Sequence, residues 1–215
     1  MTLTEILADM GYYLNDTSSI RYDSTLRTRM ANIAYFEYYN DLVKAGHQGL
    51  LTTPQSLNLV SGTATVALPS DFFMIYKLSK VLTSSRKPLN PKTNLERSVL
   101  TSGASAGDAY LPDYSVQGSN ILLQPVPSES KTGGLYLEYF PIATAMTTGS
   151  TTPATGFSAQ FHPLIPLKAS ILIKATKEDE DVSSLKMTLN DMERPFRQLI
   201  TSLTKQRKKT ERFII

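Results

Sequence analysis

Residues 182–215 have the sequence VSSLKMTLNDMERPFRQLITSLTKQRKKTERFII, and the pattern within this stretch decides how we expect the chain to fold. Its large apolar residues recur at alternating steps of four and three, a spacing that places side chains along one face of an α helix. This apolar seam consists of Leu185, Leu189, Met192, Phe196, Leu199 and Leu203. Because a helix with one apolar face must bury it, we expect the seam to pack against the preceding helix and a neighbouring subunit.

A proline, Pro195, lies inside the seam. An interior proline costs about 3 kcal/mol because it removes a backbone hydrogen bond and clashes with the preceding turn. Burial of a large apolar side chain contributes roughly 1.5 to 3 kcal/mol, and the seam contains several of them. The helix is therefore expected to continue through Pro195 with a bend.

The chain ends in a basic segment with an apolar tip. Between residues 194 and 215 there are seven cations and one anion, whereas the whole chain has a formal charge of +3. These cations can complement the helix dipole or neutralise nucleic-acid phosphates, but neither role explains the apolar tip. We therefore expect 205–215 to be an arm that docks on a partner protein, with the charges guiding its approach and the tip filling a pocket. Its expected contact residues are Lys205, Arg207, Lys208, Lys209, Arg212, Phe213, Ile214 and Ile215.

Two helices are predicted at the start of the chain. Thr2 and Glu5 have the spacing of a capping box for a short helix from Leu3. Asp23 can cap a second helix that ends at Gly46. Aromatic rings cover most of the circumference of this second helix, so it is either sandwiched within the chain or exposed to a neighbouring subunit. The aromatic residues are Tyr35, Phe36, Tyr38 and Tyr39.

Residues 50–142 show a period of two, which predicts β strands. Alternation at 57–59 and 64–68, around Ser61-Gly62, predicts a hairpin. Further strands are predicted at 72–78, 114–117, 121–124 and 135–140, turns at 118–119 and 132–134, an exposed loop at 83–93, and one or two helical turns at 94–100. An antiparallel sheet or a small barrel would close this region.

The remaining segments complete an α+β organisation. Residues 143–160 carry no charge and are expected to form an extended loop, and a helix is predicted from Pro163 to the acidic run at 178–181. The N- and C-terminal helices, 1–49 and 161–204, would pack as a helical bundle. The β insertion would then occupy 50–142, the loop 143–160, and the docking arm 205–215.

Composition and motifs argue against an enzyme. The absence of cysteine excludes disulfides, zinc-thiolate sites and thiol nucleophiles. His47 and His162 lack ligand partners at helical spacing, so we interpret each as a surface or capping histidine, although an esterase-like triad stays open as an alternative. Serines lack the Gly-x-Ser-x-Gly context, the glycines at 103–107 do not form a P-loop, and residues 178–181 lack the pattern of a calcium loop. We therefore predict no catalytic, cofactor-binding or metal site.

The expected location follows from hydropathy. No apolar run approaches the roughly 18 to 20 residues that span a bilayer, and the first residues do not resemble a signal peptide. We therefore expect no membrane contact, and assembly in a cytoplasm.

Three stretches resemble a known family: IRYD at 20–23 after the first helix, LNLVSGTATVALPSDF at 57–72, and FHPLI at 161–165. Their order resembles that of the head-to-tail adaptor, or connector, proteins of tailed bacteriophages, including the tail tubular protein A adaptors of short-tailed phages. The resemblance covers most of the chain, and its motifs are structural rather than chemical.

The resemblance implies a homo-oligomeric ring, commonly a dodecamer, in the neck of the virion. One side of such a ring contacts the portal protein of the head, the other a tail or nozzle protein, and genomic DNA passes through the lumen during ejection. By correspondence, 205–215 would reach the portal. The alternatives are a stopper or tail-completion ring and, from another class, a nucleic-acid-binding module.

Overall fold

The computed structural model describes residues 1–92, 112–176 and 181–212, with side chains described as far as residue 207. The chain divides into two compact units, one formed by Met1–Leu50 with Ala143–Ile215 and the other by Leu51–Ile142. The first unit is helical and the second consists of β strands, which confirms the predicted α+β class. In the described part of the chain, no helix is both long enough and apolar enough to cross a membrane.

Helix α1 (Leu3–Tyr13) begins at the predicted capping box. The Thr2 hydroxyl accepts a hydrogen bond from the Glu5 backbone N–H, and the Glu5 carboxylate accepts one from the Thr2 N–H. Two further N–H groups of the first turn donate to carbonyls of the 143–160 loop, Leu3 to Thr151 and Thr4 to Gly149. The start of α1 therefore has its backbone donors satisfied both locally and by a distant segment.

Helix α2 (Ser24–Ala45) has both predicted caps. The Asp23 carboxylate accepts from the Leu26 N–H at 2.8 Å, and Gly46 ends the helix with φ +79°, a left-handed conformation that suits glycine. Its aromatic residues Tyr35, Tyr38 and Tyr39 are almost completely buried within the chain. The sandwiched arrangement is therefore the one that the structure shows for these three rings.

The link between α1 and α2 is fixed by a buried ion pair. Asp16 accepts backbone hydrogen bonds from Ile20, Arg21 and Tyr22, and its carboxylate lies 2.7 Å from Nη2 of Arg27. Burial acts to raise the pKa of Asp16, but the hydrogen bonds and the Arg27 charge lower it on balance. Removal of either partner would leave an uncompensated buried charge, so this pair holds the link in one conformation.

Helices α3 (Leu164–Ala175) and α4 (Ser183–Arg212) complete the helical bundle. Pro163 precedes α3, as expected from its suitability at helix starts. Helix α4 continues through Pro195, as predicted, and the bend expected there stays a prediction. Helices α2 and α3 form the central pair, and α1 and α4 each pack on both members of this pair, while the described residues of α1 and α4 make no substantial contact with one another.

The 143–160 loop, which we call the strap, is held against helix α2 by hydrogen bonds and by a buried aromatic ring. Asn32 donates to the Met146 carbonyl and accepts from the Met146 N–H, while the Tyr35 hydroxyl accepts from the Ala154 N–H. Phe157 is buried with its ring 5.9 Å from that of Tyr35. The segment lacks a strand or an α helix, as predicted, but its contacts with α2 give it a definite path that the sequence did not reveal.

The described residues of the β unit form seven strands in two antiparallel sheets, without a closed barrel. One sheet has the order β1-β7-β3-β4 and the other the order β2-β6-β5. The strands are β1 (Gln55–Leu59), β2 (Thr65–Ala67), β3 (Phe72–Val81), β4 (Arg86–Pro88), β5 (Asp113–Gln117), β6 (Asn120–Gln124) and β7 (Lys131–Pro141).

The predicted hairpin around Ser61-Gly62 is wrong. Leu57 of β1 pairs with Leu135 of β7, whereas Val66 of β2 pairs with Ile121 of β6, so the two strands belong to different sheets. Alternation identifies a half-buried strand but does not specify its partner. A turn signal between two strands was therefore insufficient to establish their pairing.

Two smaller predictions in the β region are also corrected. Residues 132–134 do not form a turn but lie within β7, where Gly133 has φ +62° and the register against β1 shifts. A glycine with positive φ is found in β bulges as well as in turns, so the glycine pair did not by itself indicate a turn. The exposed loop predicted at 83–93 contains β4, and the helical turns predicted at 94–100 lie outside the described residues.

The turn that follows β2 is anchored by Asp71. The Phe72 N–H donates to the Pro69 carbonyl, and the Tyr139 hydroxyl donates to Asp71 Oδ1 at 2.8 Å. Burial, together with the neighbouring Asp71, raises the pKa of Tyr139 to about 12. The Leu-Pro-Ser-Asp-Phe stretch therefore has a structural role inside the β unit.

Candidate assembly surface on the last helix

The apolar seam of α4 lies on its less exposed side, but it is not fully covered by its own chain. Phe196 is 3% exposed, whereas the other five seam residues remain half-buried. These five are Leu185, Leu189, Met192, Leu199 and Leu203. The structure thus places the six predicted packing residues on one side of α4 and leaves most of them accessible to a further partner.

Phe196 attaches the centre of α4 to the bundle. Its ring lies 5.1 Å from Tyr38 of α2 and 5.2 Å from Phe161, in edge-to-face arrangements with both. Aromatic pairs of this geometry contribute about 0.5 to 1.5 kcal/mol beyond the area that they bury. The residue after Pro195 is thereby held in the core.

The sequence did not predict a hydrogen-bonded group beside Phe196, formed by Tyr38, Glu193 and Arg197, which we call the polar clamp. The Tyr38 hydroxyl donates to Glu193 at 2.6 Å, and the guanidinium of Arg197 donates to the same carboxylate at 2.6 Å. Burial and then the Glu193 carboxylate raise the pKa of Tyr38 well above its usual value. Lys168 of α3 lies over the Tyr38 ring at 4.5 Å and pairs with Glu37. Residues from three helices are thus fixed around one phenol.

The opposite, outward side of α4 carries a basic groove with a volume of about 620 Å³. It is lined by three cations, Arg194, Arg197 and Lys205, and by five uncharged polar residues. The Arg194 side chain pairs with Asp191 at 3.0 Å, but both groups are solvent-exposed, so this pair is weak. The described lining contains no carboxylate, but Arg197 also pairs with Glu193 beside the groove, so three cations and these two carboxylates leave a net charge of +1 that favours a negatively charged partner.

The segment predicted to be a docking arm, 205–215, begins as a direct continuation of α4. The helix runs unbroken to Arg212, so Lys205, Arg207, Lys208, Lys209 and Arg212 all lie on it. Arg207 donates to the carbonyl of Lys44 at 3.1 Å, at the C-terminal end of α2. Residues 208–212 therefore form a further turn of helix beyond this contact. Phe213, Ile214 and Ile215 lie outside the described residues.

Of the two interpretations of His162, a surface histidine is wrong, whereas a capping histidine is confirmed, because His162 is the C-cap of the short 3-10 helix Ala159–Phe161. Its side chain is buried, its ring stacks on Phe157 at 5.5 Å, and its Nε2 lies 3.0 Å from the Phe157 carbonyl. Its Nδ1 lies 2.8 Å from the backbone nitrogen of Met1. Burial lowers the pKa of His162, an effect that the hydrogen bond to Phe157 partly offsets. The apolar neighbours Phe161, Leu164 and Ile165 are a local signal of this burial.

The other histidine also contacts the strap. His47 is half-buried, and its Nε2 lies 3.1 Å from the Gly156 carbonyl. Among the described residues no group of three or more His, Cys, Asp or Glu side chains is arranged to hold a metal ion. The histidines thus join chain segments within the helical unit.

The fold is that of an α+β protein whose last helix has a half-buried apolar seam and a basic groove. The family model of the SU10 adaptor protein matches residues 1–212, so the chain belongs to the SU10 adaptor protein family. This is a family of structural adaptor proteins of bacteriophages, not an enzyme class. The match extends through both units and into the basic end of α4. No curated protein matches the chain.

Proposed function

We propose that this adaptor forms an oligomeric ring in the virion neck, joins the portal of the phage head to the tail, and leaves a channel for DNA. The observation that best supports this role is α4, which combines a half-buried apolar seam with a basic helical end. A portal on one side and a tail or nozzle protein on the other would be the partners. A twelve-subunit ring and a subtype close to tail tubular protein A are part of the same proposal.

The half-buried seam supports self-association. Leu185, Leu189 and Met192 lie before Pro195, and each retains exposed surface although it faces the less exposed side of α4. Further burial of such residues in an assembly contributes about 25 cal/mol for each Å² of apolar surface removed from water. A neighbouring subunit that covers this side would complete the packing that one chain leaves partial.

The end of α4 supports docking on the portal. The last described contact of α4 with α2 is that of Arg207 with Lys44. The helical backbone then continues to Arg212, about 7.5 Å of additional helix. A rigid helical extension reduces the conformational entropy lost when the basic arm 205–215 binds a partner.

Mixing purified protein with portal rings tests this function. Electron microscopy should show a second ring stacked on the portal with the full chain, and no stacked ring when 205–215 is deleted. A matched variant with Phe213, Ile214 and Ile215 replaced by serine should also dock weakly, because the charges alone would steer without filling a pocket. If the truncated chain docks as well as the full chain, the arm is not the portal contact, even though the adaptor role stands.

A nucleic-acid-binding module is the second candidate, favoured by the three cations of the α4 groove. Such a module would bind duplex DNA without sequence preference, and its affinity would fall steeply with salt. Binding by the isolated chain that disappears between about 50 and 200 mM salt, without docking to portal rings, would favour this candidate over the adaptor ring.

A further inference from the structure

Helix α1 and helix α4 carry opposite charges on their outer sides. Within Leu3–Tyr13 the charged residues are Glu5 and Asp9, with no cation. The groove of α4, by contrast, is lined by Arg194, Arg197 and Lys205, and stays net positive although Asp191 and Glu193 pair with the two arginines at its edge. Because α1 and α4 each pack on the central α2–α3 pair, with no substantial contact between their described residues, these surfaces lie on different sides of the same bundle.

The outer side of α1 has the composition of a contact surface. Glu5, Asp9 and Tyr12 follow one another at steps of four and three, so they lie along one stripe of the helix. Tyr12 is 74% exposed, a large aromatic ring that the chain itself does not cover. Burial, and then the nearby Glu5 charge, raise the pKa of Asp9, so a cation brought to this stripe would relieve an unfavourable charge pair.

The dimensions of the two surfaces are compatible. Glu5 to Tyr12 covers about 10 Å of helix, and Asn190 to Lys205 covers about 22 Å along α4. The α1 stripe therefore fits within the length of the groove. The uncharged polar residues of the groove, among them Thr201, can surround an aromatic ring without leaving a buried charge.

We propose that the outer stripe of α1 in one copy, Glu5, Asp9 and Tyr12, docks in the α4 groove of the next copy. This contact is head-to-tail, because two different surfaces meet, and such contacts close into rings when the rotation between copies permits. The inference rests on the proposed ring and adds the surfaces that build it. Charge complementarity favours a second copy of this chain over other occupants of the groove.

Charge reversal tests the contact. Asp9→Lys and Arg194→Glu should each raise the concentration needed for assembly by roughly tenfold or more, because like charges then meet across the interface. Neither residue caps a helix. The matched controls Glu129→Lys and Lys186→Glu change exposed charges elsewhere and should assemble as the unmodified chain does. Assembly is measured by sedimentation, and on portal rings by electron microscopy.

Mixing the two reversed variants gives the sharper result. In a ring where the variants alternate, the new lysine of Asp9→Lys would face the new glutamate of Arg194→Glu, and at the next contact the unmodified Asp9 would face the unmodified Arg194. An equimolar mixture should therefore assemble at a concentration at which neither variant assembles alone. A contact between two α1 surfaces would leave Arg194→Glu unimpaired, and a contact between two α4 surfaces would leave Asp9→Lys unimpaired, so either arrangement is recognised from the single variants before they are mixed. Failure of the mixture to recover assembly overturns the inference.

Cysteine pairing offers an independent measurement because the chain contains no cysteine. An oxidised mixture of Tyr12→Cys and Thr201→Cys should form a disulfide-linked dimer, whereas each variant alone should not. The control Met187→Cys lies at a 73%-exposed position of α4 outside the groove and should not pair with Tyr12→Cys. Equal pairing with both partners would contradict a specific contact.

The outcomes separate this inference from the proposed function. If the unmodified chain assembles on portal rings and both charge variants do so equally well, the inference fails and the adaptor ring stands. If the unmodified chain forms neither rings nor portal complexes, both fail. If Arg194→Glu assembles normally but loses affinity for a duplex DNA oligonucleotide, the groove contacts nucleic acid and the inference is wrong.

Discussion

The two long helices of the bundle, α2 and α4, both carry large apolar side chains, but they are buried to different extents. The side chains of Tyr35, Tyr38 and Tyr39 in α2 are almost inaccessible to solvent. In the α4 seam, only the side chain of Phe196 is buried to this extent. The difference arises because α2 is covered on several sides, by α3, by α4 and by the strap at 143–160. Helix α2 is therefore packed within one chain, whereas α4 keeps apolar surface that the proposed ring would bury.

The largest expected loss of stability comes from removing the strap side chain that covers α2. Phe157→Ala should lower the free energy of unfolding by about 3 to 5 kcal/mol, because it removes a buried ring that contacts Tyr35, Tyr38 and His162. Urea denaturation measures the change. The control Phe73→Ala removes a ring that is 45% exposed and should cost much less. Equal losses for the two variants would show that the strap does not cover α2 as described.

A smaller effect is expected where α2 and α4 are joined by the polar clamp. Tyr38→Phe should cost roughly 1.5 to 3 kcal/mol, since it removes a hydrogen bond to the Glu193 carboxylate. A double-mutant cycle with Glu193→Gln isolates this interaction from other effects of each substitution. Tyr12→Phe, at an exposed position, should change stability by less than about 0.5 kcal/mol. Additive losses in the cycle would mean that the two groups do not interact.

The pH dependence of stability tests the burial of His162. Its folded pKa lies below the usual value of 6.5, so the unfolded chain binds more protons in the window below 6.5. Stability should therefore fall as the pH is lowered from about 7 to about 5. The His162→Gln variant should be less stable at neutral pH, and its stability should depend less on pH. An unchanged slope in His162→Gln would contradict this assignment.

The smallest effect on a single chain is expected in the α4 seam. Leu189→Ala should lower the stability of the monomer by only about 1 kcal/mol, because Leu189 is half-buried. The same substitution should impair ring assembly measurably by sedimentation. A loss as large as that of Phe157→Ala would show that the seam is already fully packed within one chain, which would remove the contrast between α2 and α4.

Local signals predicted much of the helical unit. The helix ends are set by Thr2, Asp23 and Gly46, which form hydrogen bonds with nearby backbone. Because these contacts are local, short stretches of sequence are enough to predict them. The spacing of the α4 seam likewise predicted which side of the helix is less exposed. Spacing does not determine how completely that side is covered, since coverage depends on the elements that pack on it.

Non-local features were missed. The pairing of Leu57 with Leu135 brings together residues far apart in sequence, and no local pattern distinguishes it from pairing within a hairpin. Burial of His162 depends on Phe157, and the clamp on Glu193 depends on Tyr38. The contact that we propose between α1 and α4 depends on the bundle, which places these two helices on different sides.

The close approach of Gly156 to Gly49 has a consequence for how this chain can vary. A Cβ atom on Gly156 would lie 2.0 Å from the Gly49 carbonyl oxygen, so the two backbones touch where the helical unit is interrupted in sequence. In the β unit, the Thr52 N–H bonds to the Tyr139 carbonyl, so the ends of that unit are also held together. In each unit, therefore, backbone contacts hold together the two chain segments that lead to the other unit. We expect that one unit can be exchanged between related adaptors while the other keeps its fold.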